Sequence, residues 1–386
     1  MVGGVERYLA DLLGSGAGDL GHRVVLTAGT ACAFAGPWPV TSQPWSAEGR
    51  HGAVDVAELA AAFASLDALC LFHYPPSDAA LAAARHAGLP VALFCHDHRW
   101  WCASGSRYYA RPARICGIRA STAACSLRYY PMRCGGLRPM PALRGLALAS
   151  LGRETLAVAE LVLTASTFMA AEAMRHGARA ERTHVVPLPT AFAGRAPLPA
   201  PATAPPTLLF ASRLTREKGA GLLLEAFRLM RQTAVLEIAG TGIAAAAVRR
   251  AVASHPRADR IRVLGPLDAA AMRDAYARAS AVAVPSLWPE PFGLVGIEAL
   301  AAGRPVVTTA VGGSSDWARE DLGVATVASG DAAALAAALD RVLAEPEWAA
   351  RAREAGARWV GERHSVAAHV ARLREVVGTV APRKAP

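Results

Sequence analysis

Two carboxylates eight positions apart, Glu290 and Glu298, stand in the stretch from Val284 to Val307, where residue type and spacing most strongly invite chemistry. Glu290 lies between Pro289 and Pro291. Neither proline can donate to a ladder, and each biases its predecessor away from helix, so the loop stays extended. An apolar run from Gly293 then reads as a helix that stops at Gly303, a residue suited to the left-handed position past a helix end. Phe292, Gly293, Leu294 and Val295 open that helix. Backbone N–H groups there lack partners within the helix, and the helix dipole adds to their pull on anions and hydroxyl oxygens. Glu298 follows about one and a half turns in, roughly 8 Å along the axis at ~1.5 Å per residue. Two carboxylates at one crevice suit vicinal hydroxyls, as an acidic residue suits ribose in dinucleotide folds. Either glutamate alone reads more readily as a solvated charge; the string as a whole does not.

The elements that must position these groups alternate along the chain. Upstream, residues 207–210 read as a strand, 211–219 as a loop carrying Arg213 and Lys218, and 222–227 as a helix. Strands at 235–238 and 261–264 follow, the first leading into Gly240-Thr241-Gly242, and 281–284 is the strand before Glu290. The half before them shows the same rhythm, with strands at 66–72, 90–95, 161–164 and 184–189 and a helix opened by Ser166 or Thr167. Such alternation means a parallel sheet with helices on both faces. His73 and the pair His96-Asp97 fall just past strand ends, where open α/β sheets bind ligands. A linker with five prolines, 196–206, separates the halves.

The motif around Glu290 and Glu298 closely resembles the E-x7-E signature of retaining glycosyltransferases of family 4, which have the GT-B fold, and the likeness extends over most of the chain. The resemblance implies two Rossmann-like, doubly wound parallel-sheet domains facing a cleft. They would be an acceptor-side domain over 1–195, with an insert at 98–153, and a nucleotide-sugar domain over 207–362. A helix at 363–380 would return to the first domain. It implies transfer of a sugar from a nucleotide-diphosphate sugar to an acceptor hydroxyl with retention, on the same face and helped by the leaving phosphate. No covalent nucleophile, metal or other cofactor is required. Residue by residue, Glu290 would contact the donor sugar, Glu298 the ribose, Arg213 and Lys218 the diphosphate, and His96 the sugar from the opposite domain. Gly3 and Gly4 match a glycine loop near the donor phosphate or acceptor, and Gly240 joins the donor-binding candidates. The likeness departs at the start: the family places an apolar strand before that glycine loop, so the first strand is expected to be missing here.

Composition bounds the rest. The 386 residues leave room for two domains, and 53% apolar residues suffice for two cores. No window of about 18 apolar residues is free of charge, and the first residues lack an apolar secretory core. Seven cysteines, all in the first half, then read as thiols or metal ligands in a cytoplasmic protein. Cys102, Cys116, Cys125 and Cys134 could hold zinc, although no pair has the short spacing of structural zinc sites. Residues 98–153 contain ten arginines and no Asp or Glu, matching the net charge of +10. Such a segment suits an anionic membrane surface, a polyanionic or phosphorylated acceptor, or nucleic acid, or is simply a solvated insert. The expected partners are a nucleotide-sugar, a saccharide or lipid-linked acceptor and an anionic membrane surface, without nucleic acid. That places the chain on the inner face of a membrane, in cell-envelope polysaccharide or glycolipid synthesis. Three rivals stand beside this reading. A glycoside hydrolase would need the carboxylates but not Arg213 and Lys218. A truncated domain would bind donor without turnover, and an adaptor would use only the arginine-rich segment.

Overall fold

The computed structural model describes residues 24–27, 40–43, 69–71, 78–201 and 204–379. Gly3, Gly4, His73 and the expected missing first strand lie outside these residues.

In the first half, β1 (Val24–Thr27) and β2 (Val40–Gln43) pair in parallel. A parallel sheet of order β3-β4-β7-β8 follows, built from β3 (Leu69–Leu71), β4 (Val91–Cys95), β7 (Leu161–Thr164) and β8 (Thr183–Val185). Helix α1 (Asp78–His86) joins β3 to β4. Between β4 and β7 the chain makes an antiparallel hairpin of β5 (Tyr108–Ala110) and β6 (Ala113–Ile115), a short helix α2 (Thr122–Tyr129) and a long helix α3 (Pro139–Val158). Helix α4 (Thr167–Arg175) is capped by Ser166, whose side chain accepts from the Met169 N–H. Period-two alternation sorts β4 between two cores: Val91, Leu93 and Cys95 pack with Trp100, Trp101 and Leu156, while Ala92 and Phe94 turn to the opposite face.

The second half is a six-stranded parallel sheet of order β11-β10-β9-β12-β13-β14. Its strands are β9 (Thr207–Ala211), β10 (Val235–Ala239), β11 (Ile261–Gly265), β12 (Ala281–Val284), β13 (Val306–Thr308) and β14 (Val324–Thr326). Helices α5 (Ala220–Leu229), α6 (Ala245–Ala253), α7 (Ala269–Arg278) and α8 (Leu294–Ala301) connect them, and α9 (Ala332–Ala344) follows β14. The strand order reverses between β9 and β12. At such a switch point the connections leave in opposite directions and open a crevice beyond the carboxyl ends of the strands. The loops after β9 and β12 are those that carry Arg213, Lys218 and Glu290.

A last helix, α10 (Val366–Val377), capped by Ser365, crosses back to the first half. There the imidazole Nδ1 of His369 meets the Pro187 carbonyl at 2.7 Å, and His364, just before the helix, meets the Leu188 carbonyl at 2.8 Å. The linker is not loose throughout, because buried Leu198 donates its backbone N–H to the Ala302 carbonyl.

Candidate active site

Gly219, at φ 79°, closes the turn of Arg216–Lys218 against the loop after β12; a Cβ there would stand 1.9 Å from the Pro285 carbonyl oxygen. Only glycine permits that approach. It brings Lys218 to Glu290, 72 residues on, with Nζ 2.7 Å from Oε1 and 2.8 Å from Oε2. Glu290 is buried, and the Ser286 hydroxyl also donates to its Oε1. Burial alone pushes this carboxyl up; the Lys218 charge and the hydrogen bonds from Lys218 and Ser286 outweigh that and hold it below the usual carboxylate range. The Lys218 ammonium also lies 5.0 Å from the Trp288 ring centroid, a cation–π distance. An ammonium has three N–H donors, so one remains beyond the two spent on Glu290.

Arg213 is exposed and has no carboxylate partner among the described residues. Its loop is shaped by glycines of the neighbouring turn: a Cβ on Gly240 would lie 1.8 Å from the Ser212 carbonyl oxygen, and Leu214 donates its N–H to Thr241 at 2.8 Å. Gly240 therefore supports the arginine loop by close packing.

Helix α8 starts at Leu294 behind Gly293, which is left-handed at φ 86°, and Gly303 ends it at φ 73°. Phe292 is buried, with Leu294 and Val295 half-buried beside it. Gly296 lies flat on the ring of buried Trp317, where a Cβ would come within 2.1 Å of Cη2, and the Trp317 indole donates to the Phe292 carbonyl at 2.7 Å. The two motif carboxylates have different partners. Glu298 accepts from the Tyr276 hydroxyl at 2.9 Å, and that ring packs edge-on against Phe192 from the first half, 5.3 Å between centroids.

Glu290 is also fixed from the opposite half. Its neighbours Pro289 and Pro291 offer their carbonyls across the cleft. The Pro289 oxygen lies 2.7 Å from Nε2 of His98, and the Pro291 oxygen accepts from the Ser166 hydroxyl at 2.6 Å. One step further, Thr167 donates its backbone N–H and its hydroxyl to the two oxygens of Asp316 at 2.8 and 2.6 Å. A carbonyl only accepts, so His98 carries its proton on Nε2. Burial, first of all, holds its pKa below the ordinary imidazole value, leaving it neutral. Sequence reasoning singled out His96, which here stacks on Phe94 at 4.2 Å between centroids. It missed His98, two residues on and wholly buried beside Trp288, Trp101 and Phe168. A histidine three positions past a strand gives no hint of which way it turns. Asp97 caps the following turn and pairs with Arg99 at 2.7 Å.

The zinc alternative finds no support. Among the described residues no group of three or more His, Cys, Asp or Glu is placed to hold a metal ion, and the four cysteines are free. Cys102 turns to the Ser104 hydroxyl at 3.4 Å, Cys116 donates to the Tyr109 hydroxyl at 3.1 Å, and Cys134 to the Arg128 carbonyl at 3.6 Å. Burial, aided by the neighbouring thiols, pushes the Cys134 thiol up to about 12.

Two doubly wound α/β halves meeting at a switch-point crevice define the GT-B fold, and solved glycosyltransferases share it along nearly the whole chain. Anabaena HepE, in complex with UDP and glucose, aligns with a TM-score of 0.71 at 17% identity, over 98% of this chain and 97% of that one. WaaG, a glycosyltransferase involved in lipopolysaccharide biosynthesis, aligns at 0.63 and 16% identity over 98% and 96%. Residues 199–359 match the glycosyl transferases group 1 family. Among curated relatives, the glycogen synthase of Mycobacterium tuberculosis is 37% identical over 154 residues, 39% of this chain and 37% of the relative. The D-inositol 3-phosphate glycosyltransferase of Xylanimonas cellulosilytica is 34% identical over 233 residues, 55% of each. The chain thus spans between about a third and about a half of the length of these relatives.

Proposed function

We propose that the protein is a retaining glycosyltransferase of the E-x7-E type, moving a sugar from a nucleotide-diphosphate sugar to an acceptor hydroxyl in cell-envelope polysaccharide or glycolipid synthesis. The observation that carries the reading is the meeting of Lys218 and Glu290 at the β9/β12 switch point, with Arg213 open to solvent on the same loop. Negative charge grows on the departing diphosphate in the transition state, and fixed cations there stabilise it more than they stabilise the ground state. Lys218 and Arg213 serve that role, with the N–H groups at the start of α8 adding to it. Ionised Glu290 accepts from a sugar hydroxyl, Glu298 takes the ribose, and His96 closes on the sugar from the other half. The bond from the anomeric carbon to the diphosphate oxygen breaks as the acceptor oxygen adds on the same face. The acceptor's proton passes to the departing phosphate. None of this routes through a metal.

A thermal-shift panel of nucleotide-sugars, followed by measurement of nucleoside diphosphate release with acceptor, tests the reading. Donor binding and release that vanish in the Arg213→Ala variant, and in the Arg213→Ala, Lys218→Ala double variant where its melting shows it folded, support it. Glycoside cleavage that survives those changes would instead indicate a hydrolase.

A further inference from the structure

The segment between β4 and β7 has a surface that donor chemistry leaves unused. Arg111 and Arg114 on the hairpin end, Arg133 in the turn after α2 and Arg138 at the start of α3 are exposed and have no carboxylate partner among the described residues. They share one end of the segment: the Arg111 backbone N–H donates to the Met132 carbonyl at 3.2 Å, and α2 packs on α3 through Arg153 and Ser150, both bonded to Thr122. Large apolar side chains stand out among them. Leu127 is 75% exposed, Leu137 63%, Met140 72% and Leu143 60%. Folded monomers seldom leave such a group in water beside cations that have no carboxylate partner, although Arg114 lies 5.8 Å from the Tyr109 ring centroid.

We infer that this end of the segment, from Leu127 to Leu143 with the β5–β6 hairpin, is a docking surface for an anionic lipid bilayer. Arginine heads bind lipid phosphates while the apolar tips enter the boundary below them, a division of labour matching the two kinds of side chain present. A nucleic acid would satisfy the arginines but not the leucines, and of the segment's aromatic rings Trp100, Trp101, Tyr108, Tyr109 and Tyr129 are buried, leaving Tyr130, 42% exposed, as a single ring to stack on a base. No described helix is long and apolar enough to cross a membrane.

The test uses the full chain and vesicles, with binding rather than turnover as the readout, so it stands apart from the proposed activity. At low salt the protein should sediment with vesicles of phosphatidylcholine mixed with phosphatidylglycerol, and not with phosphatidylcholine alone. An Arg111→Gln, Arg133→Gln, Arg138→Gln variant should lose on the order of tenfold or more in binding. A Leu137→Ser, Met140→Ser, Leu143→Ser variant should lose on the order of tenfold as well. Melting temperatures confirm that both remain folded; the single change Met140→Asp carries the same test should the triple change fail to fold. Equal binding to neutral vesicles would overturn the inference. So would full binding by the apolar variant, or binding to single-stranded RNA as tight as to anionic vesicles.

Discussion

At the scale of single residues, Lys218, paired with the buried carboxylate of Glu290, and Arg213, open to solvent on the same loop, divide their tasks, and substitution should separate them. Lys218 neutralises a buried charge, so Lys218→Met is expected to destabilise the fold by about 3–5 kcal/mol, read from denaturant unfolding. Arg213 is exposed and unpaired, so Arg213→Ala should leave unfolding unchanged while donor-dependent nucleoside diphosphate release falls on the order of 10²–10³-fold. His98→Phe keeps the ring volume but removes the donor to the Pro289 carbonyl. It is expected to cost about 1–3 kcal/mol of stability, with rescue by Gln if its amide reaches the same oxygen. Glu290, Arg213 and Lys218 were legible in the sequence because each sits in a loop whose borders are written in proline, glycine and strand patterns. His98 and Tyr276 were not, since their partners lie 191 and 22 residues away, and Ser286, only four residues before Glu290, carries no pattern that shows which way its hydroxyl turns.

At the scale of elements, α8 depends on a glycine in its interior. Gly296→Ala must push a methyl into Trp317 and should destabilise by about 1–3 kcal/mol, whereas the same change in an exposed helix would be favourable. Thermal unfolding of this variant beside Gly221→Ala, where a Cβ meets nothing within 4 Å, checks the contrast. Strands β9 to β12 were readable because each is a largely apolar run stopped by glycine, proline or a polar turn, whereas the three-residue β14 gave no such signal. The segment between β4 and β7 was not: hairpin, α2 and α3 carry arginines and alanines without a clear period, and burial against Trp100 and Trp101 rather than propensity settles their form.

For the whole molecule, acid should loosen the joints between halves. Burial pushes His364 and His369 down to about 4, and His176 likewise. Between that value and the ordinary one of about 6.5, the unfolded chain binds protons that the folded chain refuses. Stability therefore falls as pH drops through this window, by up to ~3 kcal/mol per histidine at ~1.36 kcal/mol per pKa unit. Glu290, with its lowered pKa, adds a loss at still lower pH. Denaturant midpoints across this range should show the slope, and a His364→Gln, His369→Gln variant should flatten it. The two-domain alternation was legible before any coordinates, but the mutual grip of the halves was not, because no local pattern encodes it. That grip sets a condition on the reaction. The carbonyls either side of Glu290 are tied to His98 and Ser166 of the first half, while Lys218 and Ser286 of the second half hold the carboxylate itself, so the loop is fully braced only while both halves touch. Under the proposed activity, a splayed molecule would keep the Lys218–Glu290 pair yet release the loop from its outer brace.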